Sequence, residues 1–200
     1  GDWETALSIS PISALNVKPD PSLQQRILIT SGKTMSYAQL GEDTRTLTNL
    51  SLPISCNVSL TTSSTVYCFE GFSALAINKF SWKIQAHVVL DSGVPDTPWT
   101  PQAAFMSSEH KIYLFSTGEK SLFITFYNQD LSEPISKEIS GLPTTNNMVF
   151  DVQGDYMWFA AQNTEKCQSE KICGMIAVYT LTKEAKIAAF EFTMPIVEPL

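Results

Sequence analysis

Two hundred residues with 44% apolar side chains suffice for one sizeable globular unit, whereas the 16% of charged residues lies well below the usual quarter. A net charge of −7 with 13 scattered basic residues argues against a nucleic-acid surface, because neutralising phosphates takes a dense Lys/Arg patch. No apolar run is long enough to span a bilayer as a helix, and the Ser- and Thr-rich polar share suits extended strands.

The chain opens at Gly1-Asp2-Trp3 without methionine, as a processed mature chain would, and Ala6-Leu7-Ser8-Ile9 alternates like a short strand. After the stiff turn Lys18-Pro19-Asp20-Pro21-Ser22, strands are predicted at 26–30, 34–40 and 46–52, with Gly32 and Gly41 marking turns. The next group is predicted at 57–61, 66–69, 74–82 and 85–90. A Pro-rich link from Asp91 to Pro101 follows, then four short β-type runs at 103–106, 111–116, 121–127 and 135–140, each ended by polar, Gly or Pro residues. Further strands are expected at 156–159, 174–181 and 186–193, and helical periodicity is not convincing anywhere.

The runs repeat. Leu15, Leu60, Phe105 and Phe150 each stand 45 residues after the last, preceded by Ala14, Ser59, Ala104 and Val149, and Pro53, Pro98 and Pro143 share the spacing. Four such units account for 180 of the 200 residues. The reading is an all-β, four-bladed β-propeller in a single domain over residues 1–200, with blades at 11–53, 54–98, 99–143 and 144–195. A competing reading is an arc of a larger propeller, which would expose its edges.

The third unit carries a resemblance. Ala103-Ala104-Phe105, then Lys111-Ile112-Tyr113-Leu114-Phe115, Glu133-Pro134-Ile135-Ser136 and Ile139-Ser140-Gly141-Leu142-Pro143 resemble the hemopexin-type repeat. The other units match it only in period and closing Pro. The resemblance implies a four-bladed propeller used as a binding or docking module. The chain departs from that pattern at Gln102, where the family usually has an acidic residue, and in lacking a cysteine pair that would tie the first blade to the last.

The cysteines form two local pairs, Cys56 with Cys68 and Cys167 with Cys173, with spacings unlike a zinc site. Two disulfides within hairpins are expected, and with them secretion to an extracellular location; reduced thiols in a cytosolic protein are the competing reading. Two sequons point the same way. Asn49, placed on an outer strand, is the expected glycosylation site, whereas Asn57 falls on the crowded first strand of its blade, where a glycan would not fit.

No nucleophile motif is present, His87 stands within a predicted strand and His110 on a predicted hairpin, so no enzyme activity is expected. In the repeat register Ile12, Asn57, Gln102 and Asn147 share one column at the start of the inner strands. Their oxygens could hold an ion in the central channel, or they could simply cap strands and bind solvent; no other cofactor is expected. Trp99, between Pro98 and Pro101, is placed either at the channel mouth, where an exposed ring with nearby amides grips sugars or flat ligands, or in the core; Trp82 and Trp158 are expected in the core. The sequence therefore reads as a secreted, non-catalytic, lectin-like binding or scaffold module. Its partner would be a glycan, a small molecule or an extracellular protein, and the alternative is a structural or storage protein.

Overall fold

The computed structural model describes residues 15–19, 26–39, 48–90, 99–107, 109–118, 122–139, 147–154, 156–162, 174–181 and 185–192. Sixteen strands stand there in four antiparallel sheets, and the chain runs through each sheet as a meander. The first holds β1 (Leu15–Pro19), β2 (Arg26–Ser31), β3 (Thr34–Gln39) and β4 (Thr48–Ser51). The second holds β5 (Val58–Thr61), β6 (Thr65–Glu70), β7 (Ser73–Asn78) and β8 (Lys83–Val89). The third holds β9 (Thr100–Met106), β10 (Ile112–Thr117), β11 (Leu122–Tyr127) and β12 (Ile135–Ile139). The fourth holds β13 (Asn147–Gln153), β14 (Tyr156–Gln162), β15 (Gly174–Thr180) and β16 (Ala185–Phe192). All four members of the repeating apolar column fall on the first strand of a sheet.

The middle strands explain the stacking. In β6 the residues Val66 to Phe69 are all buried, so alternate side chains leave opposite faces of the sheet and both faces need cover. Val66 and Cys68 pack with Leu28 and Met35 of the first sheet and with Leu52 just beyond it, while Tyr67 and Phe69 pack with Ile112, Leu114 and Tyr127 of the third. β10 repeats the arrangement, since Tyr113 and Phe115 turn the other way, onto Met157 and Phe159 of the fourth sheet. Aromatic rings fill that last junction, with Phe115 stacked on Phe150 at 5.2 Å between centroids and Phe105 edge-on to Phe115.

The link between the first two sheets is tied from several sides. Leu52 N–H donates to the Lys33 carbonyl and Cys56 N–H to that of Gly32, whose φ of +52° suits glycine in the β2–β3 turn. Ser55 N–H donates to Glu70 Oε2 at 2.8 Å, and Cys56 is bonded to Cys68 on β6. The first expected disulfide is therefore present. The pair Cys167 and Cys173 and the N-terminal segment that alternates like a strand lie outside the described residues.

Two tryptophans sit otherwise than the strand pattern predicts. The run through Trp82 breaks at Asn78, whose Oδ1 accepts the N–H groups of Phe80 and Ser81, an Asx turn that diverts the backbone from the ladder. Trp82 itself takes a φ of +55° in the turn and sets its ring edge-on to Tyr37 at 5.0 Å, helping to join the first and second sheets. Trp158 does lie in a strand, but its side chain is 47% exposed, because it belongs to the face of the fourth sheet that no other sheet covers among the described residues.

A hydrogen bond crosses the junction of the second and third sheets, where Tyr67 Oη donates to the Gln129 carbonyl at 2.8 Å. Burial raises the pKa of this phenol; a hydrogen bond with Thr65 opposes the shift, and the charge of Asp130 adds to it. Burial pushes Tyr127 up as well. A phenol whose folded pKa exceeds its unfolded value of about 10 leaves stability intact below pH 10, and stability falls as pH rises through the folded pKa. The urea midpoint is therefore expected to drop between about pH 10 and 12. The double substitution Tyr67→Phe and Tyr127→Phe should flatten that decline; an equally steep decline without the phenols would contradict the assignment.

Candidate functional site

The expected site residues divide into three groups. Asn57 lies in a bend immediately before β5 and is exposed, so its side chain is not crowded as the strand reading implied; the strand begins one residue later. Gln102, on β9, is exposed as well, and its Nε2 donates to Thr117 Oγ1 at 3.0 Å and to the Thr100 carbonyl at 3.3 Å. Both amide protons are thereby used within the third sheet, which leaves the carbonyl oxygen for solvent or a ligand. Strands β5 and β9 lie against one another, with Asn57 just before the first and Gln102 on the second. Asn147 opens β13 opposite Gln162; its side chain and all of Ile12 fall outside the described residues.

Trp99 is buried rather than open at a channel mouth, and only 5% of it is exposed. The indole stacks on Phe123 of β11 with centroids 4.0 Å apart and planes 13° from parallel, and meets Phe72 of the β6–β7 turn edge-on at 5.2 Å. Its ring thus pins the second sheet to the third. Space for it depends on Gly118, where a Cβ would stand 2.9 Å from Phe123 Cε2 and 3.4 Å from Trp99 Cδ1. The Trp99 Nε1 hydrogen is buried without a partner, so packing rather than recognition accounts for the placement. The neighbouring prolines do restrict the chain, but the ring turns inward because two aromatic rings from different sheets offer it more contact than water does.

Other polar groups are structural in their contacts. Lys79, 1% exposed, donates from Nζ to the Thr62 carbonyl at 2.7 Å beside the β5–β6 turn, a buried cation that the sequence pattern does not announce. Asp130, in the turn that also presents Gln129 to Tyr67, has its carboxyl held below the ordinary range by hydrogen bonds from Ser132, whose N–H lies 2.9 Å away. His87 and His110 are both exposed, on β8 and in the β9–β10 turn. Among the described residues no three His, Cys, Asp or Glu side chains gather into a group that could hold a metal ion. No helix there is long and apolar enough to cross a membrane.

Four consecutive four-stranded meanders stacked face to face are the architecture of a β-propeller, and that is the class of protein this chain represents. No family model matches the chain, and no curated protein matches its sequence. Solved structures do. The hydrazine synthase of Kuenenia stuttgartiensis superposes with a TM-score of 0.63 at 11% identity, over 93% of this chain and 53% of that one. A europium-containing methanol dehydrogenase gives 0.59 at 8% identity over 90% and 42%, and the dihydro-heme d1 dehydrogenase NirN gives 0.57 at 11% over 90% and 38%. At such identities the likeness is one of fold alone. The chain spans about half the length of the structures it resembles.

Proposed function

We propose that the chain is a secreted, non-catalytic binding or scaffold module of hemopexin-like type, which takes a glycan, a small polar ligand or a hard cation where its inner strands begin. The observation that carries this reading is the pair of exposed amides, Asn57 just before β5 and Gln102 on the neighbouring strand β9. Gln102 is oriented by its two donated hydrogen bonds, so its free carbonyl oxygen suits a sugar hydroxyl or an oxygen-coordinated cation without further ordering. Secretion is supported by the Cys56–Cys68 disulfide, since such bonds persist in oxidising compartments. It is also supported by Asn49, exposed on the edge strand β4, whose Oδ1 accepts from Ser36 Oγ at 2.6 Å while Nδ2, the atom that carries a glycan, has no partner among the described residues.

A glycan array and a thermal-shift panel of sugars and divalent cations test the reading, because a ligand of the folded state raises the melting temperature by mass action. The double substitution Asn57→Ala and Gln102→Ala is expected to weaken the hit about tenfold or more while shifting the ligand-free melting temperature by less than about 2 °C. Expression through a eukaryotic secretory pathway should add a glycan mass that Asn49→Gln removes. Silence on both panels would sink the binding role and leave a structural or storage protein.

A further inference from the structure

The chain holds two Asn-x-Ser acceptors, Asn49-Leu50-Ser51 and Asn57-Val58-Ser59, and the fold presents them differently. In the first, Asn49 and Ser51 are both exposed on the edge strand β4. In the second, Asn57 is exposed in a bend, whereas Ser59 is only 5% exposed on β5, opposite Cys68 of β6. The Asn57 side chain has no hydrogen-bond partner among the described residues. The backbone on either side of it is anchored, Cys56 by its disulfide and its hydrogen bond to Gly32, and Val58 by its pairing with Phe69. The amide is thus presented to water at a fixed place, and the crowding that would exclude a glycan from an inner strand does not arise there.

We propose, resting on the reading of the chain as secreted, that Asn57 is a second glycosylation site, modified before the Cys56–Cys68 hairpin closes. A transferase must reach the serine hydroxyl as well as the asparagine amide. In the folded chain that hydroxyl belongs to a buried residue inside the loop that the disulfide closes over a sequence separation of 12. Folding therefore withdraws half of this acceptor and the disulfide holds it in place, whereas at Asn49 both halves stay at the surface. The donor is an oligosaccharide carried on a polyprenyl diphosphate. Asn57 Nδ2 forms a bond to the anomeric carbon of the first sugar. The bond from that carbon to the diphosphate oxygen breaks, its electron pair leaves on the diphosphate, and one amide proton passes to a base of the transferase. A chain so modified has the Asn57 amide removed from its pair with Gln102 on the neighbouring strand, so glycan and ligand compete for one residue.

Expression through a eukaryotic secretory pathway tests this, because an amidase that strips N-glycans converts each glycosylated Asn to Asp and peptide mass spectrometry then reads the two sites separately. Asp is expected at position 57 as well as at 49. Asn57→Gln and Ser59→Ala should each lose the glycan at 57 and keep the one at 49, whereas Ser59→Thr, which retains the hydroxyl, should keep both. Should Ser59→Ala fail to fold, Asn57→Gln, at an exposed residue, decides alone. Cell-free translation into microsomes reads the order of events. The share of chains modified at 57 is expected to be higher with a reductant, which holds the hairpin open, than with an oxidant, while the share at 49 stays the same. A glycan at 49 without one at 57 overturns this inference alone. Glycans at neither position overturn it together with the expected glycosylation of Asn49. Equal shares at 57 in reducing and oxidising translation overturn the order of events.

Discussion

Truncating Trp99 to alanine is expected to remove about 3 to 5 kcal/mol of unfolding free energy, the cost of deleting a large buried ring with a stacked neighbour. For a chain of this length that corresponds to a melting temperature lower by about 6 to 20 °C. The ring contacts Phe123 of the third sheet and Phe72 of the second, so its loss opens a gap at a junction between sheets, where relaxation would have to move a whole sheet. Trp99→Phe separates the contributions of the ring. It keeps much of the aromatic area while deleting an indole N–H that is buried without a partner, a group whose desolvation costs about 1 to 3 kcal/mol. The phenylalanine variant should therefore melt far closer to the wild type than the alanine variant. An alanine variant with an unchanged melting temperature would show that the ring contributes nothing to the junction.

Removing the disulfide is the second large effect. Replacing Cys56 and Cys68 by alanine frees a loop closed over a sequence separation of 12, which on the chain-entropy model costs about 3 kcal/mol through the unfolded state. The folded link does not depend on the bond alone, because Cys56 N–H, Ser55 N–H and Leu52 N–H keep their acceptors on Gly32, Glu70 and Lys33. The double variant is accordingly expected to fold with the same near-UV signature and to unfold at a clearly lower guanidinium concentration. Adding reductant to the wild type should reproduce most of that drop. If reductant moves the wild-type midpoint no further than it moves that of the double variant, this bond is not stabilising. Any sensitivity left in the double variant reports on Cys167 and Cys173.

Stability and recognition are separated in this fold. The residues with the largest expected effects on stability, Trp99 and the Cys56–Cys68 pair, lie at junctions and links, whereas the exposed amides Asn57 and Gln102 sit at the starts of edge strands with little packing to lose. This is why binding variants there are expected to be nearly silent in a melt while junction variants are not.

The sequence by itself determined where the strands are and how they recur. Period-2 alternation and Gly, Pro and Asn punctuation are local signals, and the column Leu15, Leu60, Phe105 and Phe150 landed on the first strand of each sheet. The closeness of Cys56 and Cys68 in a hairpin-sized loop was equally local. Side-chain direction was another matter. A run such as Tyr156 to Ala161 is apolar on both faces, so the chain shows that it is a strand but not which face has a neighbour; Trp158 is half open for that reason, while Phe159 beside it is buried. Trp99 was left open by the same limit, because its burial depends on Phe72 and Phe123 arriving from two different sheets. Trp82 left the strand because the Asn78 side chain competes with the ladder for backbone N–H groups, a contest that propensity does not decide. Strand identity follows from neighbours in sequence. Burial follows from neighbours in space, and only the stacking of the sheets supplies those.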